Sequence, residues 1–147
     1  MNISARELIG RLADCYASQT LAHRHRVVTL RGRVCQARVM YTLLGYEVKA
    51  GRRRITCPDL VTARYLRLFA EIGMPHIRIP YDPTLTRAIL PEMESLLEAA
   101  RQQKRADHAN PGSEAKALRK MYGELREVLL KTEREKTKGT VLSRKSP

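Results

Sequence analysis

The chain has 147 residues, a formal net charge of +13 at pH 7 and 43% hydrophobic residues. This length fits one domain with an appendage, and the hydrophobic content is enough for a core. The longest apolar runs, such as residues 88–90, are too short to span a membrane, and no apolar signal segment follows the N-terminus. We therefore expect a cytoplasmic protein with no membrane partner.

The three cysteines, Cys15, Cys35 and Cys57, are widely spaced and form no Cys-x-x-Cys pair. A disulfide framework is not expected, and a reducing compartment is the simpler interpretation. We expect Cys35 and Cys57 to be buried packing residues.

The positive charge is unevenly distributed. Residues 1–60 and 111–147 carry almost all of the excess, whereas residues 61–110 are close to neutral. Before residue 111, lysine occurs only as Lys49 and Lys104, and arginine supplies the remaining basic side chains. Arginine suits bidentate contacts with phosphate groups, although a codon bias would give the same composition. The excess itself favours a polyanionic partner.

The first predicted element is a helix over residues 4–20. Ser4 and Glu7 have the spacing of a capping box. Leu8 and Leu12 then recur on one face, as in an amphipathic helix.

Residues 23–44 carry two overlapping patterns. Apolar and polar residues alternate in the first part, as in a strand, but apolar residues also recur at helical spacing. We predict a helix over Arg33–Leu44, with Gly45 as its C-cap. For residues 23–32 helix and strand stay open, with helix favoured over Arg26–Arg31.

A β-hairpin is predicted over Tyr46–Cys57, with its turn near Gly51. The apolar residues from 61 to 72 then mark a helix that Gly73 closes, and His76–Tyr81 is predicted to be a strand. Strand, helix and strand in this order predict a parallel βαβ unit with a right-handed crossover.

The rest of the chain is predicted to be mainly helical. A helix from Thr84 is interrupted at Pro91, beyond which a new helix begins. Residues 107–113 have the composition of a linker. Residues 114–137 are predicted to form an amphipathic helix, and residues 138–147 a disordered basic tail.

The predicted fold class is therefore α+β. A helix-rich single domain over residues 1–106 contains a small sheet, made of the β-hairpin plus one βαβ unit, and a C-terminal helical extension follows it.

The basic hairpin is the leading candidate site. The residues predicted to bind nucleic acid lie on it or just before it, and they are Arg31, Arg33, Arg38, Lys49, Arg52, Arg53 and Arg54. A protruding arginine-rich loop can follow a phosphate backbone or enter a groove. The alternative is a solvated turn without a ligand. The order helix, helix, basic hairpin over residues 4–57 also resembles a winged helix in outline.

Asp59 and Asp82 form a second candidate, because each directly follows a predicted strand. At the carboxyl edge of a parallel sheet, two carboxylates could hold Mg²⁺ for phosphoester chemistry. The alternative is that each aspartate caps the next helix. His23 and His25 lack the usual paired spacing of zinc ligands. We predict no metal site, no cofactor and no catalytic residue.

These observations predict a non-catalytic protein that binds RNA or DNA, as part of a nucleoprotein assembly or as a regulator. One alternative is a protein–protein adaptor that docks an acidic partner through residues 114–137 and its basic surface. The other is a metal-dependent phosphoesterase that uses Asp59 and Asp82.

Overall fold

The computed structural model of the protein describes residues 3–30, 32–33, 36–107 and 110–145, without the side chains of residues 137–145. Within these residues the chain forms four α-helices and five strands, which confirms the helix-rich α+β class. The helices are α1 (Ala5–Tyr16), α2 (Leu60–Glu71), α3 (Pro83–Ala106) and α4 (Pro111–Lys145). The strands are β1 (His25–Thr29), β2 (Ala37–Thr42), β3 (Gly45–Ala50), β4 (Arg53–Cys57) and β5 (His76–Pro80).

Helix α1 begins where the capping signal predicts. The Ser4 Oγ accepts a hydrogen bond from the Glu7 backbone N–H at 3.2 Å. A π-helical turn over Ala17–Leu21 prolongs the helical segment to about the predicted end. The buried face of α1, which includes Leu12 and Tyr16, packs mainly against α3 and α4.

Strands occupy much of residues 23–44, and the helix predicted over Arg33–Leu44 is wrong. Strand β1 pairs antiparallel with β5, and β2 pairs antiparallel with β3. Because β1 finds its partner far along the chain, the local helical periodicity of Arg26–Arg31 does not decide its structure. Gly45, at φ +110°, follows the two-residue turn Leu43–Leu44 and caps no helix. In the described part of the chain, the helix–helix–hairpin outline of a winged helix is therefore absent.

Strands β2, β3 and β4 form an antiparallel sheet in that order. The β3–β4 hairpin is the predicted one, and Gly51 lies in its turn at φ +62°, a conformation that favours glycine. One face of the sheet packs on α2 and includes the buried residues Val48 and Cys57. Burial raises the pKa of the Cys57 thiol to about 11, as fits a packing residue. Cys35 lies outside the described residues.

The parallel βαβ unit is wrong, although its elements β4, α2 and β5 all exist. Strand β5 pairs antiparallel with β1 in a separate two-stranded sheet, with His25 opposite Pro80. The prediction depended on the order of β4, α2 and β5 alone, because the segment of β1 was left open between helix and strand, with helix favoured.

Helix α3 runs through Pro91, so the predicted interruption is also wrong. A proline removes one helical hydrogen bond, here to the carbonyl of Arg87. Pro91 and Arg87 are both exposed, so water can reach the carbonyl that loses its donor.

Helix α4 begins at Pro111, slightly before the predicted start. The Asn110 Oδ1 accepts a hydrogen bond from the Ser113 N–H at 2.8 Å, and proline suits the first helical position. The apolar stripe of α4 enters the same hydrophobic core as α1, α2 and α3, through Met121, Leu125 and Leu129.

The predicted domain limits stay a prediction, as does the disorder of residues 138–147. Residues 146 and 147 and the side chains from residue 137 onward lie outside the described part of the chain.

Candidate functional site

Three basic residues stand in one line across the outer face of the three-stranded sheet. Arg38 on β2 is directly opposite Lys49 on β3, and Lys49 is directly opposite Arg54 on β4. Directly opposed residues of an antiparallel pair share a face, so these side chains lie next to one another on the face away from α2. Arg38 and Arg54 are exposed, and Lys49 is half-buried. We term this line the basic row.

The other predicted site residues are placed differently. Arg52 is exposed in the β3–β4 turn, and Arg33 is exposed in the segment before β2. Arg53 is opposite Ala50, on the face that packs on α2, so it does not join the basic row. Arg31 lies outside the described residues. Of the residues predicted to bind nucleic acid, the structure therefore aligns Arg38, Lys49 and Arg54 and places Arg53 on the opposite face.

The basic row has little compensating charge. Like charges directly opposite each other on neighbouring strands destabilise a sheet. Glu47 is the sole acidic residue between positions 37 and 57, and it lies in the next row of the same face, opposite Met40 and Thr56. Glu47 is buried, and its Oε2 has no hydrogen-bond partner in the described structure. Among the described residues, no ion pair neutralises the basic row.

Four arginines of the helical layer, by contrast, are paired with carboxylates. The ion pairs between neighbouring helices are Arg64–Glu94, Arg67–Glu94, Arg101–Glu71 and Arg105–Glu114. The unpaired positive charge of the described structure therefore includes the outer face of the sheet, where no carboxylate forms an ion pair with the basic row.

The turn between β2 and β3 presents large apolar side chains to solvent. Leu43 is fully exposed, and Leu44 and Tyr41 are 78% and 79% exposed. We term these three residues the apolar tip. The Thr42 Oγ1 holds the turn, because it donates to the Gly45 carbonyl at 3.2 Å and accepts from the Leu44 N–H at 3.1 Å. The tip was not predicted, because the segment was expected to be helical.

Asp59 and Asp82 both cap helices. The Asp59 Oδ1 accepts from the Thr62 N–H at 2.7 Å, and the Asp82 Oδ1 accepts from the Thr84 N–H at 2.9 Å. Strands β4 and β5, which precede them, belong to different sheets, so the two carboxylates do not share a sheet edge. Nowhere in the described ranges do three or more His, Cys, Asp or Glu residues group as metal ligands would.

His23 and His25, which were considered as zinc ligands, do not form a pair of ligands. The His25 Nδ1 donates to the His23 carbonyl at 2.8 Å, and its Nε2 accepts from the Arg78 Nη1 at 3.2 Å. Both ring nitrogens of His25 are therefore in use. His23 contributes its backbone carbonyl to this contact, and its side chain is exposed.

A buried polar network joins α4 to β5 and α1. Glu133 is 5% exposed and accepts a hydrogen bond from the Tyr16 hydroxyl at 3.0 Å. It also accepts from the His76 Nε2 at 2.5 Å and from the Arg78 Nε at 2.9 Å. We term these four residues the Glu133 network. Its members lie far apart in the sequence, so no spacing pattern could have indicated it.

The network affects the pKa of both buried acids. Burial alone would raise the pKa of the Glu133 carboxyl, but hydrogen bonds from Arg78 and His76 outweigh it and hold the pKa below its ordinary value. Burial raises the pKa of Tyr16, so its hydroxyl keeps its proton and donates to Glu133. The network is thus an ionised carboxylate surrounded by donors, which ties α4 to the β1–β5 sheet.

A second set of bonds fixes the backbone of β5 at the same residue. The Tyr65 hydroxyl donates to the Arg78 carbonyl at 2.8 Å and accepts from the Thr20 hydroxyl at 2.9 Å. The Arg78 N–H donates to the Tyr16 hydroxyl at 3.0 Å. Both the side chain and the backbone of Arg78 are therefore held from the helical layer.

These features define a small, helix-rich α+β protein with a basic sheet face and an apolar hairpin turn. Comparison with protein-family models, with curated proteins and with solved structures finds no match. Within the described ranges, none of the helices combines the length and the apolar character that a membrane crossing requires.

Proposed function

We propose that this protein binds nucleic acid without catalysis, and that the outer face of the β2–β3–β4 sheet contacts the phosphate backbone. The observation that carries the proposal is the basic row. Its three cations are aligned by strand register and lack carboxylate partners in the described structure. An anionic ligand would relieve the repulsion that such an alignment creates.

The dimensions of the basic row suit a phosphate backbone. Neighbouring strands are about 4.8 Å apart, so the row spans about 10 Å. One strand of B-DNA carries a phosphate about every 3.4 Å along the helix axis. A row of this length can therefore meet two or three phosphates, and the exposed Arg33 and Arg52 can extend the contact.

The test compares two triple variants with equal changes in net charge. The first replaces Arg38, Lys49 and Arg54 of the basic row with glutamine. The control replaces three exposed arginines of the helices, also with glutamine: Arg6, Arg11 and Arg87. Fluorescence anisotropy titrations of labelled duplex and single-stranded probes at several salt concentrations give the log–log salt slope of each affinity.

For a duplex probe, the basic-row variant should reduce the salt slope by about 1.8–2.7, because each of the two or three lost phosphate contacts removes about 0.9. The control should change the slope much less. Binding that is insensitive to salt in the unmodified protein would refute the proposal. Equal losses in the two variants would show that net charge, and not the basic row, causes the binding.

The adaptor alternative is weakened by the packing of α4. Its apolar stripe is buried in the protein's own core and so is not available to a partner. An acidic protein would have to use the basic face instead. A defined complex that survives nuclease treatment, and that the basic-row variant abolishes, would favour such a partner.

A further inference from the structure

We propose that the apolar tip inserts between bases, so that the preferred ligand is a nucleic acid with an unpaired base or an easily unstacked step. This inference rests on the proposed function and adds to it a base-contacting element. The tip is Tyr41, Leu43 and Leu44, all exposed at one end of the sheet.

The composition of the turn departs from what a hairpin needs. Two-residue hairpin turns favour Asn, Asp and Gly, for reasons of backbone conformation and hydration. Here two leucines occupy the turn, and their side chains project into solvent. Tyr41 stands beside them with its ring 5.1 Å from the ring of Tyr46. In the isolated chain both leucine side chains are largely exposed to solvent, so they are available for a contact with a ligand.

The backbone of the tip is preorganised. The hydroxyl of Thr42 bonds both the Leu44 N–H and the Gly45 carbonyl across the turn. The strands on either side are paired through to the turn, with Thr42 opposite Gly45. Ordering a loop on binding costs free energy, and a turn already held in this way avoids much of that cost.

The same two strands connect the tip to the basic row, and this favours nucleic acid over an uncharged partner. Arg38 lies five residues before Leu43, and Lys49 lies five residues after Leu44. At about 3.3 Å per residue the separation is about 16 Å, while the grooves of B-DNA are about 8 Å deep. A hairpin inclined in a groove can thus bring its tip to the bases while the long side chains of the row meet phosphates at the rim.

Apolar wedges of this kind are a known way to read nucleic acid. Leucine and similar side chains inserted at a base step unstack it and kink the duplex, and exposed aromatic rings stack on unpaired bases. The net charge of +13 opposes a second copy of the chain as the occupant of the tip. A protein pocket and a lipid surface are the other possible occupants of the tip, and the experiment has to distinguish them from nucleic acid.

The experiment uses the full chain and two short duplexes that differ by one unpaired base beside a 2-aminopurine, whose fluorescence rises on unstacking. The tip variants are Leu43→Ser with Leu44→Ser, and Leu43→Asn with Leu44→Gly, which keeps a favourable turn. The control is Leu60→Ser, an exposed leucine at the start of α2. Thermal unfolding checks that every variant is folded.

The unmodified protein should prefer the duplex with the unpaired base by about tenfold, the order expected for one stacked base. It should also raise the 2-aminopurine fluorescence. Both tip variants should lose the preference and the fluorescence rise, with an unchanged salt slope, while Leu60→Ser keeps all three.

Equal binding of the two duplexes by the unmodified protein, with a normal salt slope, would overturn this inference and leave the proposed function standing. Salt-insensitive binding to both would overturn the proposed function itself. Tip variants that keep the full preference would also overturn the inference, and if they lost binding to anionic vesicles instead, the tip would be assigned to a lipid surface.

Discussion

Replacing Glu133 with glutamine tests how strongly helix α4 is tied to the rest of the fold. Glutamine preserves the shape of the side chain but removes the charge that three donors share. The matched control is Glu94→Gln. Glu94 pairs with Arg64 and Arg67, and the side chains of these three residues are more exposed than that of Glu133.

The expected loss of stability follows from this difference in burial. Removing one partner of a buried ion pair costs about 3–5 kcal/mol, because the remaining charges stay desolvated. Arg78 and His76 are 24% and 33% exposed, so we expect the lower end, about 3 kcal/mol. For a chain of this size that lowers Tm by about 6–12 °C. Glu94→Gln should cost at most about 1 kcal/mol, as for exposed pairs.

Urea and thermal unfolding followed by circular dichroism measure both variants, and acidification adds an independent check. The folded pKa of Glu133 lies below its ordinary value of 4.5, so the native state binds that proton less readily than the unfolded chain. The stabilisation is therefore complete above about pH 4.5 and is lost as the pH falls through the folded pKa. The difference in the free energy of unfolding between the unmodified protein and Glu133→Gln should therefore become smaller as the pH falls over that range. A loss below 1 kcal/mol, equal to that of Glu94→Gln, would refute a stabilising network.

Two further predictions concern the caps and the last helix. Asp59→Ala and Asp82→Ala should each lower the free energy of unfolding by about 0.5–2 kcal/mol, and the Asn variants by less, because asparagine also caps. The midpoints of urea unfolding measure these losses. Equal losses for the Ala and Asn variants would contradict capping. Deleting residues 111–147 should abolish the cooperative thermal transition, because it removes Met121, Leu125 and Leu129 from the core. A truncated chain that still unfolds in one sharp transition would instead support an independent domain over residues 1–106.

Local signals predicted the elements whose structure is decided locally. The cap at Ser4, the helix closed by Gly73 and the hairpin at Gly51 all depend on neighbouring residues, and the structure contains each of them. Strand β2 was missed, and helix was favoured over strand at β1, because pairing, and not propensity, decides the structure of both segments. The parallel pairing predicted for β5 was wrong because the order of neighbouring elements does not reveal a partner about fifty residues away.

The candidate site was predictable in composition but not in arrangement. The charge pattern singled out Arg38, Lys49 and Arg54, yet their alignment depends on β2, which was expected to be a helix. The Glu133 network was beyond sequence reasoning for a different reason. Its contacts join residues more than fifty positions apart, and each residue alone has an ordinary alternative on a solvated surface.

The bond between Tyr16 and Glu133 also sets an order of events during synthesis. These residues are 117 positions apart, so the N-terminal helix emerges long before its partner exists. At a translation rate of about 5–20 residues per second, the delay is about 6–23 seconds. Until Ala106 has been made, the apolar face of α1 has neither a complete α3 nor α4 to cover it. A nascent chain with this fold therefore completes the cover of its first helix only when the last helix has left the ribosome.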